Sequence, residues 1–382
     1  MSPQTGAPRS NAISRAMRLS ASRPASLLLL CAFFWIVAAA GFSGFMGKWG
    51  LMGTEGKPAE EQRYGLPLML DGSASKPFVY RQLAPMLANA AEKLAPDGLK
   101  HHANRLLLPK WQLARVISPP APEHRFRYLV IHQLSFLALF LSLFVLRRVL
   151  LDLGIGSSTA ILSPAAFVLA FPYIQTVGGF YYDSIELLCM GTAFLLAHRG
   201  RMLPLIALAL PAALNKETFI FFLPALYPLL RQRLPVKSAA AATAAAILVA
   251  GLVNVALKLH FAGSDRGGVA ELHVLGNIRY YLNPLSYLNA FEFTYGIIGP
   301  ARLFAGTALV AALVVLRGWS SAPPAVRRHL LVAAAVNVPL FLLFCAPGEL
   351  RNLSLLYVGL VTMIGFACER SSGHRAAGSV TP

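Results

Sequence analysis

The sequence predicts an all-α, polytopic transmembrane helical bundle of about ten spans, with both termini cytoplasmic and a large first outer loop that contains amphipathic helices. Three observations predict it. Of 382 residues, 56% are hydrophobic and only 13% are charged, whereas a soluble globular chain carries roughly 25% charged residues. The apolar residues gather in runs of the length that a helix needs to cross a bilayer, about 20 residues. The charges fall between those runs, so the net charge of +18 forms no nucleic-acid-binding patch. This balance excludes an ordinary cytosolic enzyme, a disordered chain and a disulfide-stapled secreted module. Cys31, Cys189, Cys345 and Cys368 all sit inside apolar segments without CxxC spacing, as small packing residues do.

Residues 1–24 read as a disordered cytoplasmic tail carrying Arg9, Arg15, Arg18 and Arg23. The apolar run at 26–46 is longer than the roughly 7–15 residues of a signal-peptide core, and it reads as an uncleaved first span. Further spans are expected near 126–146, 157–176, 180–197, 238–260, 300–316, 329–346 and 352–368. The stretch 202–230 holds two apolar runs split by Asn215-Lys216-Glu217. As one span it would carry a Lys–Glu pair at mid-bilayer, where each charge costs several kcal/mol. As a hairpin of two short helices it places that pair at an interface. The hairpin also keeps Arg147/Arg148, Arg199/Arg201, Arg231/Arg233/Lys237, Arg317/Arg327/Arg328 and Arg370/Arg375 on the cytoplasmic side, as the positive-inside rule asks. A single transmembrane domain, 25–370, is therefore expected, followed by a cytoplasmic tail at 371–382.

Two outer loops, 47–125 and 261–299, exceed what a connector needs. Helical periodicity runs from Arg81 to Leu94 and from Asn104 to Val116, the pattern of helices lying along a membrane surface. Lys100, Arg105, Lys110 and Arg115 form a basic stripe, read either as contact with lipid phosphates or as a solvated face. Ionisable residues at membrane depth are expensive and mark candidate sites. Asp183 and Glu186 follow Phe180-Tyr181-Tyr182, and their i, i+3 spacing puts both carboxylates on one helix face. Lys216 and Glu217 sit at the hairpin tip. Glu349 and Arg351 lie between the last two spans. Asp71 and Arg81 flank Lys76-Pro77-Phe78-Val79-Tyr80. Each has a plainer explanation: acids favour the positive end of a helix, Asp71-Gly72 suits a turn, and Glu349 with Arg351 forms a self-contained pair. Together they bring carboxylates and cations from five segments to one side of the bundle. A carboxylate there can deprotonate a hydroxyl nucleophile, and Arg or Lys can hold the phosphate of a leaving group. No P-loop, Rossmann glycine pattern, Ser-His-Asp set or HExxH spacing occurs.

The short cytoplasmic tail, the single span, the large outer loop and the many later spans with interface charges resemble the GT-C class of integral-membrane glycosyltransferases. Lys76-Pro77-Phe78-Val79-Tyr80-Arg81-Gln82-Leu83-Ala84-Pro85, Asn215-Lys216-Glu217-Thr218 and Glu349-Leu350-Arg351-Asn352 are also similar to segments of bacterial multi-span proteins from surface-polysaccharide loci. The resemblance implies a GT-C-like bundle that transfers a sugar from a polyprenyl-phosphate-linked donor on the outer face of the bacterial inner membrane, in envelope polysaccharide or glycolipid assembly. It implies an essential acid in the first outer loop, where Asp71 is the matching candidate; Asp183 is the candidate from depth alone, with Glu186 beside it. Tyr80, Arg81, Tyr182, Lys216, Glu217, Glu349 and Arg351 are then expected to bind substrate. No metal site is expected from residue spacing, although Asp183 and Glu186 offer oxygen ligands for Mg²⁺ or Mn²⁺. The expected partners are the lipid-linked donor and membrane lipids, with no nucleic acid. Two alternatives stay open: a transporter or flippase of a lipid-linked saccharide, which calls for inverted repeats and midplane polar groups, and a non-catalytic component of a polysaccharide machine, in which the polar groups would not converge.

Overall fold

The structure, a computed structural model, describes residues 9–51, 64–113, 122–263, 268 and 271–371. Fifteen α-helices carry these residues. The segment expected as the first outer loop follows α1 (Arg9–Trp49) and contains α2 (Leu66–Leu70), a 3-10 turn (Phe78–Tyr80), α3 (Leu83–Leu94) and α4 (Asp97–Leu113). The bundle continues with α5 (Arg125–Asp152), α6 (Ser157–Ile174), α7 (Tyr181–His198), α8 (Met202–Asn215), α9 (Phe219–Leu230) and α10 (Val236–His260). A smaller unit comprises α11 (Val274–Leu282), α12 (Leu285–Leu288) and a hairpin of β1 (Phe291–Thr294) and β2 (Ile297–Pro300). The chain closes with α13 (Ala305–Trp319), α14 (Pro324–Phe344), a 3-10 segment (Leu350–Leu356) and α15 (Tyr357–Ser371).

Among the described residues, six helical stretches are long and apolar enough to cross a membrane: 25–49, 125–152, 157–174, 236–260, 324–344 and 350–371; α8, α9 and α13 are shorter apolar helices. Leu248, Leu252, Val255 and Leu259 on α10 are 54–71% exposed, and Leu309, Val310, Leu313 and Leu316 on α13 are 55–70% exposed. Such stripes are a poor surface for water and a good one for lipid, which marks a membrane protein. Sharp turns join the buried helices. Gly154 (φ 83°) and Gly200 (φ 67°) stand just past the ends of α5 and α7. There Ile155 N bonds Leu150 O and Arg201 N bonds Leu196 O, the helix-ending pattern that a left-handed glycine allows.

The core centres on α7, which packs on α5, α8 and α9 and buries almost its whole first two turns. Phe34 and Phe42 of α1, Leu143 and Leu146 of α5, and Phe222 and Leu226 of α9 surround it in one apolar cluster. The Nδ1 of His329 on α14 lies 2.7 Å from Ala225 O, fastening α14 to α9.

The 202–230 stretch folds as two separate helices meeting at Lys216-Glu217-Thr218, as the charge argument required. Three expectations change. Helix α1 starts at Arg9, so residues 9–24 are helical rather than a disordered tail. The segment 261–299, expected as an outer loop, carries two helices and a hairpin; Gly296 (φ 81°) after Tyr295 (φ 57°) closes a two-residue turn of the kind that pairs adjacent strands. That hairpin takes Ile297–Pro300, so the helix expected at 300–316 begins only at Ala305. Arg115 of the basic stripe and residues 372–382 of the expected tail lie outside the described residues.

Candidate functional site

The segment Gln175–Phe180 brings the chain from α6 to the start of α7 and sets the site's geometry. Val177 (φ 57°) and Gly178 (φ 125°) bend it through left-handed backbone. For a β-branched residue that conformation costs of order 1–3 kcal/mol. The Trp49 indole N–H donates to Gln175 O at 2.8 Å, and a Cβ on Gly179 would fall 2.4 Å from Trp49 Cδ1. The bend delivers Asp183 to the first turn of α7, where its Oδ2 accepts the Phe180 backbone N–H at 3.0 Å. A carboxylate there is favoured by the helix dipole.

Three more segments converge on this point, and the charges form three pairs. Arg81 grips Glu217 with two nitrogens, Nη2 to Oε1 at 2.9 Å and Nε to Oε2 at 3.3 Å. Its Nη1 donates to the Tyr182 hydroxyl, and its guanidinium lies 4.6 Å from the Tyr182 ring centre and 4.8 Å from that of Phe78, a stacked cation geometry. Lys216 Nζ reaches Glu186 Oε2 at 2.8 Å. Glu186 Oε1 accepts from Ser354 Oγ at 2.8 Å and from Thr218 Oγ1 at 3.4 Å. Arg351 pairs with Glu349, whose Oε2 accepts the Ala346 backbone N–H at 3.0 Å. The Arg351 guanidinium lies over the Phe180 ring at 4.6 Å, and Phe180 stacks on Tyr182 with centroids 5.0 Å apart.

Asp183 is the carboxylate left over. It stands 3.6 Å from Arg351 Nη1 and 4.0 Å from Lys216 Nζ, but both cations bond other acids more closely. Gln175 Nε2 approaches its Oδ2 at 3.4 Å. Its Oδ1 meets no hydrogen-bond partner among the described residues, and neither do Arg351 Nε and Nη1. All this happens out of water: Asp183, Glu186, Lys216 and Arg351 are 2–4% exposed. Charges so placed need partners, because burying an unpaired one costs several kcal/mol. Four carboxylates against three cations leave a net charge of −1 when all are ionised.

In the segment expected as the first outer loop, burial alone would lower the Arg81 pKa, but the charges of Glu217 and Tyr182 more than offset it and hold the pKa above its ordinary value. For Glu217, burial works against ionisation, yet Arg81 prevails and holds the carboxyl below the usual range. Burial, then the charge of Glu217, raises the Tyr80 phenol.

The structure thus gathers Arg81, Tyr182, Asp183, Glu186, Lys216, Glu217, Glu349 and Arg351, with Tyr80 buried close by. It does not bring in Asp71. That residue caps the end of α2, is 49% exposed at its side chain and faces Arg127 at 3.3 Å; the partner of Arg81 is Glu217 instead. Asp183 and Glu186, which offer oxygen atoms that could take Mg²⁺ or Mn²⁺, face Lys216 and Arg351. Sequence reasoning missed Gln175, Ser354 and the flanking rings of Phe78 and Phe180. The first two carried a signal, a polar residue within an apolar run; the rings carried none. The chain matches no family model, no curated protein and no solved structure.

Proposed function

We propose that the protein is a multi-pass glycosyltransferase of the bacterial inner membrane, with about ten spans, both termini cytoplasmic and the charge cluster at the periplasmic interface. It transfers a sugar from a polyprenyl-phosphate-linked donor to a hydroxyl acceptor. The observation that carries this reading is the odd carboxylate: Asp183 is buried, its Oδ1 accepts no hydrogen bond among the described residues, and the two cations within 4.0 Å of it, Arg351 and Lys216, each bond another acid more closely. A carboxylate in that state is poised as a general base.

In the reaction, Asp183 Oδ1 takes the proton of the acceptor hydroxyl as its oxygen attacks the anomeric carbon. The bond from that carbon to the phosphate oxygen breaks, and the lipid phosphate leaves with the bonding electrons. Arg351 Nε and Nη1 offset the charge that develops on it, as donors fixed in a dry site do most effectively. Lys216, held by Glu186, adds positive field. Arg81 is already saturated by Glu217 and Tyr182, so it serves as the clamp between the first outer segment and the hairpin tip.

Transfer of radiolabelled sugar from a panel of polyprenyl-phosphate donors by purified protein in detergent tests this. Wild type and Asp71→Asn are expected to turn over, and Asp183→Asn to lose about 10²–10⁴-fold, the usual contribution of a general base. A second reading, a carrier of lipid-linked saccharide, draws on the depth at which these charges are buried. No turnover with any donor, together with donor binding that Arg351→Ala weakens, would favour the carrier.

A further inference from the structure

The unit of α11, α12 and the hairpin is amphipathic in the wrong sense for water. Three of its polar side chains, Asn277, Tyr281 and Glu292, are turned inward, while Arg279, Asn283 and Asn289 are exposed. Asn277 Nδ2 donates to Leu342 O at 2.8 Å and Cys345 O at 2.9 Å, closing the end of α14. The Tyr281 hydroxyl accepts the Gly348 backbone N–H at 3.2 Å. Glu292 is held between Lys48 and Arg302, the latter at 2.8 Å. The outward face is apolar: Leu275, Ile278 and Leu282 of α11 are 49–78% exposed, as are Leu288, Phe293 and Ile298 beyond it at 55–75%.

We infer that this face is sunk into the acyl-chain region of the outer leaflet, so that residues 272–298 form an interfacial anchor whose partner is phospholipid. Three observations select lipid over a second protein. The unit lies in the chain between α10 and α13, whose exposed faces are the leucine and valine stripes described above, and it packs on α1, α6 and α14, three helices of the bundle, so lipid-facing helices precede and follow it along the chain. With nine residues, α11 is too short to cross a bilayer, which leaves it to lie along the interface. Tyr280, Tyr281, Tyr287 and Tyr295 accompany the face, with the exposed Arg279 upon it and Lys258 and His260 at the adjoining end of α10. This is the aromatic and basic composition that settles at the headgroup level of an anionic leaflet.

The anchor matters for the site because it holds Gly348, the residue before Glu349. The depth at which residues 272–298 sit in the leaflet therefore fixes the height of the Glu349–Arg351 loop over Asp183. The inference rests on the membrane reading above, not on the chemistry assigned to the cluster.

Wild-type protein in nanodiscs of phosphatidylethanolamine and phosphatidylglycerol, doped with a phospholipid bearing a diazirine part-way along one acyl chain, tests it. After photolysis, peptides are mapped by mass spectrometry beside a hydroxyl-radical footprint. Lipid adducts are expected on the peptide spanning 272–298 as well as on that spanning 236–260. Lipid adducts on 236–260 with radical labelling alone on 272–298 would overturn the anchor and leave the membrane reading intact. Protection of 272–298 from both reagents, with cross-links between two copies there, would overturn it in favour of a dimer face. Absence of lipid adducts from 236–260 as well would bring down the membrane reading itself.

Discussion

Three cations shared among four carboxylates decide the residue-level chemistry, because each cation has a nearest acid and Asp183 is nobody's nearest. The pair Arg81–Glu217 shows what a satisfied charge looks like at this interface. The Glu217 pKa lies below its unfolded value, so the pair's stabilisation is complete above the ordinary carboxylate range, about pH 4.3, and is lost as pH falls through the lower folded value. Wild type in detergent is expected to lose thermal stability on acidification to below about pH 4, and Glu217→Gln is expected to lose less of it over the same range. At neutral pH, Glu217→Gln is expected to destabilise toward the lower end of the roughly 3–5 kcal/mol that removing one partner of a buried pair costs, since Glu217 keeps 24% side-chain exposure. Equal acid sensitivity in both proteins would assign the effect elsewhere. The charged members of the cluster were legible one by one, from depth. Their pairing was not: Arg81 and Glu217 are 136 residues apart, and only the packing of the expected first outer loop on the hairpin tip decides between Glu217 and the nearer Asp71.

Among the elements, α7 and the bend before it carry the site. Trp49 at the end of α1 fills the space over Gly179 and bonds Gln175, so the first and third long helices fix the entry angle of α7 together. Gly179→Ala is expected to push Trp49 away and lower the thermal midpoint by the equivalent of about 1–3 kcal/mol, the usual cost of overpacking. An unchanged midpoint, read by the same melt, would mean that Trp49 does not constrain the bend. Most helices could be read from the sequence because a run of about 20 apolar residues has few other uses. The split of 202–230 could be read because a Lys–Glu pair is costly at mid-bilayer. The unit at 274–300 escaped detection for the opposite reason. At nine residues α11 is far shorter than the run of about 20 that signals a span, so Leu275, Ile278 and Leu282 did not stand out, and the turn signal rested on Gly296 alone.

At the scale of the molecule, one end of the bundle holds the buried charges while the arginine-rich turns after α5, α7, α9 and α13 lie toward the other in the proposed topology. That asymmetry is the reason to propose the periplasmic side for the cluster, where in the proposed reaction the phosphate of a lipid-borne donor meets Arg351 and Asp183. The chemistry itself was the least legible part. Composition and spacing reveal where charge is buried, whereas an unpaired carboxylate oxygen is a property of the assembled pairs. A single-turnover measurement with the lipid-linked donor pre-bound tests the role of Asp183 most directly, because it separates the chemical step from binding. Asp183→Asn is expected to bind donor as wild type does and to transfer the sugar about 10²–10⁴-fold more slowly. Transfer at the wild-type rate by a folded Asp183→Asn protein would contradict the account.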